Sequence, residues 1–504
     1  MYSNSFMFGS LKLLLFSGVL SFSIGMLSCQ KRPSNSADVD SVSAGRNNGS
    51  STNNPAISFS NKSVTPAFVK MMPGFEKVQI YTLISSDDVL PEAPNFVFGA
   101  QPDGSGLLKT PTGDGYIFVT NHEILRSVSR TYLDNTFTPK KAEYIVDAEG
   151  GMWRLCSATM AIPSVHGFGP LFITAGETGP DSRVHAIDPF GSVADKKRTD
   201  RVLPALGRAG MENALPLPKT AYAGKTIIII GEDDANGQLL AYVSNTVGDL
   251  VNGQLYFLRR KDLNTQETEM AVGSTYSVEF VPIDNAATAT GAEIAAQSIA
   301  KNCIQFGRVE DIDYRKGGGG HDREIYFAVT GLANVTGKTK WGRVYKLILD
   351  QSSPLSGTLM PVADGNRNPG NDLINPDNIC ATTNYVYIQE DGDAFYPEAK
   401  HDSYIWQYDI AKKQYKPFLT MWHRREDASF NSINGYNQTG ENRFGSWEFG
   451  AMIDVSSTIG SSNVFLLNIH AHTWQKDRFL NADGTAISNN KEGGQTVILR
   501  NVPQ

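Results

Sequence analysis

TIIIIGEDDANGQLLAYV, residues 226–243, decides the fold. Thr226 to Gly231 is a short apolar run, Glu232 to Asn236 are turn formers, and a Gly-led run with a central aromatic follows from Gly237 to Val243. Runs of this length with these boundaries are strand signals, and two of them across so short a turn read as an antiparallel pair. Working outward, the same apolar strand recurs as VQIYTLI (78–84), YIFVT (116–120), LFITAG (171–176), EIYFAVTG (324–331), YVYIQE (385–390) and VFLLNI (464–469). Aromatic partners recur as GQLYFLRR (253–260), GRVYKLILD (342–350) and SYIWQYDI (403–410). Helical periodicity is scarce outside 292–300. A loose repeat of about 60 to 80 residues built from antiparallel strands is the trace that propeller blades leave in a sequence. A pair of β-sandwiches would leave the repeated aromatic strands unexplained, so the expectation is an all-β propeller with insertions.

The 504 residues are 40% hydrophobic and 19% charged, enough apolar surface for a large core, which excludes a small stapled domain, a coiled coil and a polar disordered chain. A net charge of −7 with no Lys/Arg-rich run argues against nucleic acid as a partner. At the N-terminus, Lys12 precedes an apolar run from Leu13 to Leu27 that is short for a membrane span and ends in Met26-Leu27-Ser28-Cys29. Small residues before a Cys at this place look like a lipoprotein box, with residues 1–28 removed and Cys29 lipidated; a plain secretory signal is the alternative. Residues 29–57 are rich in Ser, Asn and Gly and read as a disordered tether, so the membrane is met through lipid alone and the folded domain is 58–504.

Beyond Cys29 only Cys156, Cys303 and Cys380 remain, which excludes a disulfide scaffold. Cys303 and Cys380 lie beside apolar residues and read as small buried hydrophobes. Carboxylates punctuate the strand ends: Asn121-His122-Glu123, Glu177, Glu212-Asn213, Glu232-Asp233-Asp234, Glu310-Asp311 after Arg308, Asp377-Asn378, Glu390-Asp391-Gly392-Asp393 and Trp447-Glu448. Taken singly, each is an ordinary turn. In a propeller such ends converge on the axis, where gathered acids repel and need cations; hard oxygen donors suit calcium, and a thiolate among them suits a transition metal. Arg308 before Glu310 and Asp311 is the strongest of these signals, because both charge signs crowd where the chain enters a strand.

Read in order, VTNHE (119–123), the Cys156-Ser157 stretch with Glu177, LGRAGMENA (206–214), GEDDANGQLLAYV (231–243), FGRVEDIDY (306–314), WGRVYKLILD (341–350), NPDNI (375–379) and FLLNIHAH (465–472) resemble the PhoX-type alkaline phosphatases, exported bacterial propeller proteins. The resemblance implies a six-bladed propeller holding iron and calcium on its axis and cleaving small phosphate monoesters. Carried over by position, Cys156 is the thiolate on iron, Glu177, Glu212, Glu310 and Asp377 are metal carboxylates, and Arg308 holds the phosphate. Asp233, Asp234, Glu390 and Asp391 either complete calcium coordination or only form turns. The chain departs from the family after Cys156 (SATMAIPSVHGFGP, without the usual Trp), at Met211 where His is typical, at His470-Ala471-His472, and in lacking a twin-Arg signal.

His321 follows a run of four glycines and reads as part of a flexible loop, while His470 and His472 share one strand face and suit either a metal pair or a half-buried strand end. No hydrolase elbow, Walker A or Rossmann context appears. The first reading is therefore a metal-dependent phosphoric monoester hydrolase anchored in a bacterial cell envelope, on the outer membrane or a periplasmic face. The alternative is a non-catalytic calcium-binding propeller that binds a partner or glycan.

Overall fold

The computed structural model describes residues 57–391, 398–428 and 446–504. The signal peptide, Cys29, the tether up to residue 56 and Asp393 lie outside the described residues. Asn54–Gln504 is one compact unit of β-strands in a propeller-like arrangement.

The opening stretch shows how the sequence builds it. Thr226–Glu232 and Leu239–Ser244 pair antiparallel, Ile228 facing Tyr242 and Ile230 facing Leu240. Ile227 and Ile229 point into one apolar core and Ile228 and Ile230 into the next. A strand covered on both faces has no reason to alternate polar residues, which is why this run is continuously apolar. Each such isoleucine contributes about 1.5–3 kcal/mol by burial. The other quoted apolar runs all form strands, among them Gly115–His122, Leu171–Gly176, Glu324–Val329 and Tyr385–Glu390, and the one helical pattern forms Gly291–Ala300. That helix is capped by Thr290, whose side chain accepts from the Glu293 amide. His321 lies in a short 3-10 turn, Gly319–Arg323.

Among the described residues the strands form five sheets, of five, nine, four, four and three strands. Tyr276–Pro282 pairs on one side with Gln254–Arg260 and on the other with Ser353–Asp364, so two sets of four strands merge into the nine-stranded sheet. One innermost strand comes from each small sheet and two from the large one: Pro102–Lys109, Leu155–Ala161, Met211–Pro216, Val309–Tyr314, Pro376–Ala381 and Glu448–Asp454. Each packs against the next, and the last packs against the first. The early strand Gln79–Ser85 pairs with the final strand Glu492–Arg500, so the beginning of the fold is tied to its end within one sheet.

These six strands share one irregularity. In each, three residue steps face two on the partner strand: Pro102 to Ser105, Leu155 to Ala158, Met211 to Ala214, Val309 to Ile312, Pro376 to Ile379 and Phe449 to Met452. A bulge of this kind leaves two consecutive residues outside the ladder and re-aims their side chains. The pairs so released are Asp103-Gly104, Cys156-Ser157, Glu212-Asn213, Glu310-Asp311, Asp377-Asn378 and Gly450-Ala451.

Candidate metal centre

The first residue of five of these pairs carries a metal-type donor. Three groups, each with ligand atoms within 4.8 Å of one another, run through shared members: Asp103, Glu123 and Cys156; Cys156, Glu177 and Glu212; Glu212, Glu310 and Asp377. Glu123 follows the strand Gly115–His122, and Glu177 follows Leu171–Gly176. The Cys156 Sγ lies 3.1 Å from Glu177 Oε2. Asp103, Cys156, Glu123, Glu212, Glu310 and Asp377 are buried.

In four of the pairs the second residue reaches the neighbouring set of strands. The amide and Oγ of Ser157 donate to Glu212 Oε1 at 3.1 and 2.9 Å. Asn213 Nδ2 donates to Asp311 Oδ1, and Asp311 Oδ2 accepts from the Ile379 amide at 3.0 Å. The ring closes with the Ala451 amide donating to Asp103 Oδ1 at 3.0 Å. From the second strands, Asn121, Thr330 and Asn468 donate to the Cys156, Pro376 and Asp103 carbonyls of the next sheet. Gly104 permits the close approach: a Cβ there would lie 2.4 Å from the Ala158 amide nitrogen and 2.5 Å from the Cys156 carbonyl oxygen.

Electrostatics decides what such a centre needs. Burial, then neighbouring acids, hold Asp103, Glu212, Glu310 and Asp377 far above the usual carboxylate range, and Glu177 is pushed up to about 8 by burial followed by Glu123 and Asp233. Burial and Glu177 likewise raise the Cys156 thiol. Two full charges 4.8 Å apart repel by about 3.5 kcal/mol at an effective dielectric of about 20, so these groups hold protons or share cations. Glu310 Oε1 is buried and makes no aligned hydrogen bond; among the described residues its charge is met only by the Arg308 guanidinium 3.0 Å away, so the oxygen retains lone pairs that a metal ion can use. A thiolate with Glu177 and Glu212 suits iron, and the three carboxylates Glu212, Glu310 and Asp377 suit calcium, so the residues present fit both metals.

Arg308 borders the acids on a left-handed backbone, φ 71°, a conformation costing a non-glycine residue about 1–2 kcal/mol. Its Nε and Nη2 donate to the two oxygens of Asp233 at 2.6 and 3.1 Å, and Nη2 lies 3.0 Å from Glu310 Oε1, too poorly aligned for a hydrogen bond. A second guanidinium, Arg154, pairs with Glu123 Oε1 at 2.9 Å.

The other sequence candidates lie as follows. Asp234 is exposed and accepts from the Asn236 amide in a turn. Glu232 is buried with its pKa pushed to about 8, chiefly by burial. Glu390 is buried and accepts from the Ile374 and Tyr404 amides and Trp406 Nε1, each at 2.7 Å. Asp391 is buried, its amide on the Asn375 carbonyl. Cys303 and Cys380 are buried free thiols. Sequence reasoning passed over Asp103, because Asp-Gly reads as a turn; its signal was a carboxylate two residues before a β-run, the same offset as at Glu212 and Glu310. On the other side of the bulges a cavity of about 400 Å³ is lined by the second residues Ser157, Asn213, Asp311 and Ala451, with Met160, His166 and Lys316.

No protein-family model and no curated protein matches the chain in sequence. Among solved structures it is similar to Pseudomonas fluorescens PhoX in complex with vanadate, with a TM-score of 0.57 and 13% identity over 88% of this chain and 98% of that one. The aldose sugar dehydrogenase of Streptomyces coelicolor is matched at a TM-score of 0.35 and 11% identity over 84% of this chain and 98% of that one. The likeness to PhoX establishes a shared propeller-like all-β fold.

Proposed function

We propose that this chain is a metal-dependent phosphoric monoester hydrolase of the PhoX type, exported and held in the bacterial cell envelope through a lipid on Cys29. Its partners are then small phosphoesters and, through that lipid, the membrane. One observation carries the reading: five of six equivalent bulges aim Asp103, Cys156, Glu212, Glu310 and Asp377 into one run of adjoining donor groups. The nine-stranded sheet divides at Tyr276–Pro282 into two sets of four strands, which supports a count of six blades around that run. The fold likeness supports it as well, since the matched PhoX is a complex with vanadate, a transition-state analogue.

Iron and calcium, when bound, would supply Lewis acidity and neutralise the phosphate dianion. The chain's own residues do the rest. Cys156 and Glu177 offer the mixed sulfur and oxygen end of the centre, and Glu212, Glu310 and Asp377 the oxygen end. Ser157 fixes Glu212 by two hydrogen bonds to one oxygen, leaving the other to a cation. Arg308, with its side chain 23% exposed, presents a guanidinium edge where a phosphate oxygen can bind, while Asp233 sets its plane.

The test is hydrolysis of a chromogenic phosphate monoester by the metal-loaded protein, with vanadate as inhibitor, beside Cys156→Ser. Vanadate-sensitive turnover lost in Cys156→Ser supports the reading; a metal-loaded protein with neither turnover nor vanadate binding overturns it. A second reading, the non-catalytic calcium-binding propeller, is favoured by the engagement of Arg308 with Asp233 and Glu310. That reading requires calcium binding with no affinity for phosphate.

A further inference from the structure

Beyond the acid centre, the sheet that ties the two ends of the fold together carries a different donor set. Glu448 stands opposite His470 in the antiparallel register of Glu448–Asp454 with Val464–Gln475, and His472 follows two residues later on the same face. One ligand atom from each of the three lies within 4.8 Å of the others. We propose that Glu448, His470 and His472 form a separate site for a divalent transition metal of the zinc type, with two imidazoles and one carboxylate as ligands.

His470 Nε2 lies 2.9 Å from the Pro102 carbonyl oxygen, which can only accept, so Nε2 bears the proton. Its Nδ1 faces Glu448 Oε2, 3.1 Å away. At that distance a positive charge joins the two groups, either a proton on Nδ1 in an imidazolium–carboxylate pair or a metal ion bound by both. His470 is fully buried, and its Nδ1 makes no hydrogen bond among the described residues: the Glu448 oxygen is near but out of line. Gly450 makes this ring position possible, since a Cβ there would come within 2.9 Å of His470 Nε2 and 2.4 Å of the Pro102 oxygen.

The distances fit a coordination shell. His472 Nε2 lies 3.3 Å from the same Glu448 Oε2. Donors about 2.0 Å from a tetrahedral ion stand about 3.3 Å apart, so 3.1 and 3.3 Å match two edges of such a shell. Outer groups hold both rings: the Pro102 carbonyl takes His470 Nε2–H, and Glu492 Oε2 lies 3.2 Å from His472 Nδ1 and accepts from Gln101 Nε2 at 2.9 Å. A carboxylate or carbonyl behind each ligating imidazole fixes its tautomer and strengthens it as a donor. Imidazole nitrogen excludes calcium as the preferred ion, and the absence of a thiolate separates this site from the one at Cys156. Glu448 and His472 are partly exposed, at 15% and 19%, which leaves a route for the ion and an open position for water.

The inference does not depend on the hydrolase reading, because its test uses no substrate. Protein stripped of metal is titrated with zinc in a Cys156→Ser background, which removes the competing thiolate, and compared with the same chain carrying His472→Ala or Glu448→Gln. The expected result is one zinc equivalent fewer in each. X-ray absorption at the zinc edge of the otherwise unaltered chain is the second measurement, with imidazole backscattering expected. Equal zinc content in the His472→Ala chain and its parent, or a zinc spectrum without imidazole, overturns the site. The cluster is then a network of ion pairs between two imidazolium rings and the carboxylates of Glu448 and Glu492.

Discussion

Removing metal should make the melting temperature fall with rising pH, with a sign fixed by the buried acids. Glu177 sits at about 8 because burial opposes its charge and Glu123 and Asp233 repel it, whereas the unfolded chain releases that proton near 4.3. The folded pKa is raised, so the metal-free native state holds protons that the unfolded state has lost. Stability from this group is therefore complete below about pH 4 and disappears as pH rises through about 8. Between pH 6.5 and 8.5 the loss integrates to about 2 kcal/mol for Glu177. Burial and neighbouring acids raise Glu212, Glu310 and Asp377 as well, so each acts in the same direction. His122, buried and pushed down to about 3, acts in the opposite sense but only below about pH 6.5, outside this window. Melting entropy for roughly 450 folded residues is about 1 kcal/mol/K, so through Glu177 alone the metal-free protein should melt about 2 °C lower at pH 8.5 than at pH 6.5, and the other raised acids deepen the fall. With cations in place the charges are neutralised at both pH values and the slope should nearly vanish. Thermal melts by circular dichroism, with and without chelator and with metal content measured, read this directly. A stripped protein whose melting temperature is unchanged or rises between those pH values would falsify the reasoning, because the acids would then be solvated.

Three further outcomes are expected. Glu310→Gln should lower metal content and activity together, whereas Arg308→Lys should keep the metal and weaken phosphate or vanadate inhibition, since Lys cannot span both oxygens of Asp233 and an anion; equal metal and equal inhibition constants in both variants would show a purely structural ion pair. Gly104→Ala forces a Cβ against the backbone of Cys156 and Ala158 and should cost about 3 kcal/mol or more, read as a lower melting temperature with loss of the metal at Cys156; a variant as stable as the parent would mean that the sheets are not locked at this point. Cys29→Ser should move the protein from the membrane fraction to the soluble fraction, and continued membrane association after signal cleavage would refute lipid anchoring.

The outer parts of the fold were legible because they obey local rules. Runs such as Thr226 to Gly231 are apolar throughout, since both faces are covered, and each is followed by an aromatic partner strand across a connection of varying length. The innermost strands were nearly invisible. MENALP, VEDIDY and PDNICA have the composition of turns, because their bulges place polar residues where a ladder would place valine. The acids of the centre could be picked out as strand-end carboxylates, but their partners could not. That Arg308 lies on Asp233, some 75 positions away, and that Asp103 joins Cys156, are facts of tertiary packing with no local trace. Likewise Glu390, which resembles Glu310 in sequence, satisfies its carboxylate with two amides and an indole instead of facing the acids.

The repeated bulge explains why cohesion and chemistry are joined in this molecule. In a regular strand neighbouring side chains point to opposite faces, so a strand cannot offer one residue to the axis and the next to the adjoining sheet. The extra residue lifts that restriction. At Cys156-Ser157, Glu212-Asn213 and Glu310-Asp311 the first side chain joins the donor groups, and the second is part of the contact with the neighbouring set of strands. The ligands at these positions are therefore placed by the same hydrogen bonds that join neighbouring sets of strands, and a cation shared by Glu212, Glu310 and Asp377 adds a tie between three strand segments already packed through apolar cores. It follows that the acids do not merely tolerate one another for the sake of a site. Paired with cations they close the ring, and unpaired they push it open, so the group with the greatest effect on metal affinity should also be the one whose neutralisation most changes the unfolding temperature. Glu212 is that group, being the carboxylate common to two donor sets and the acceptor of both Ser157 hydrogen bonds.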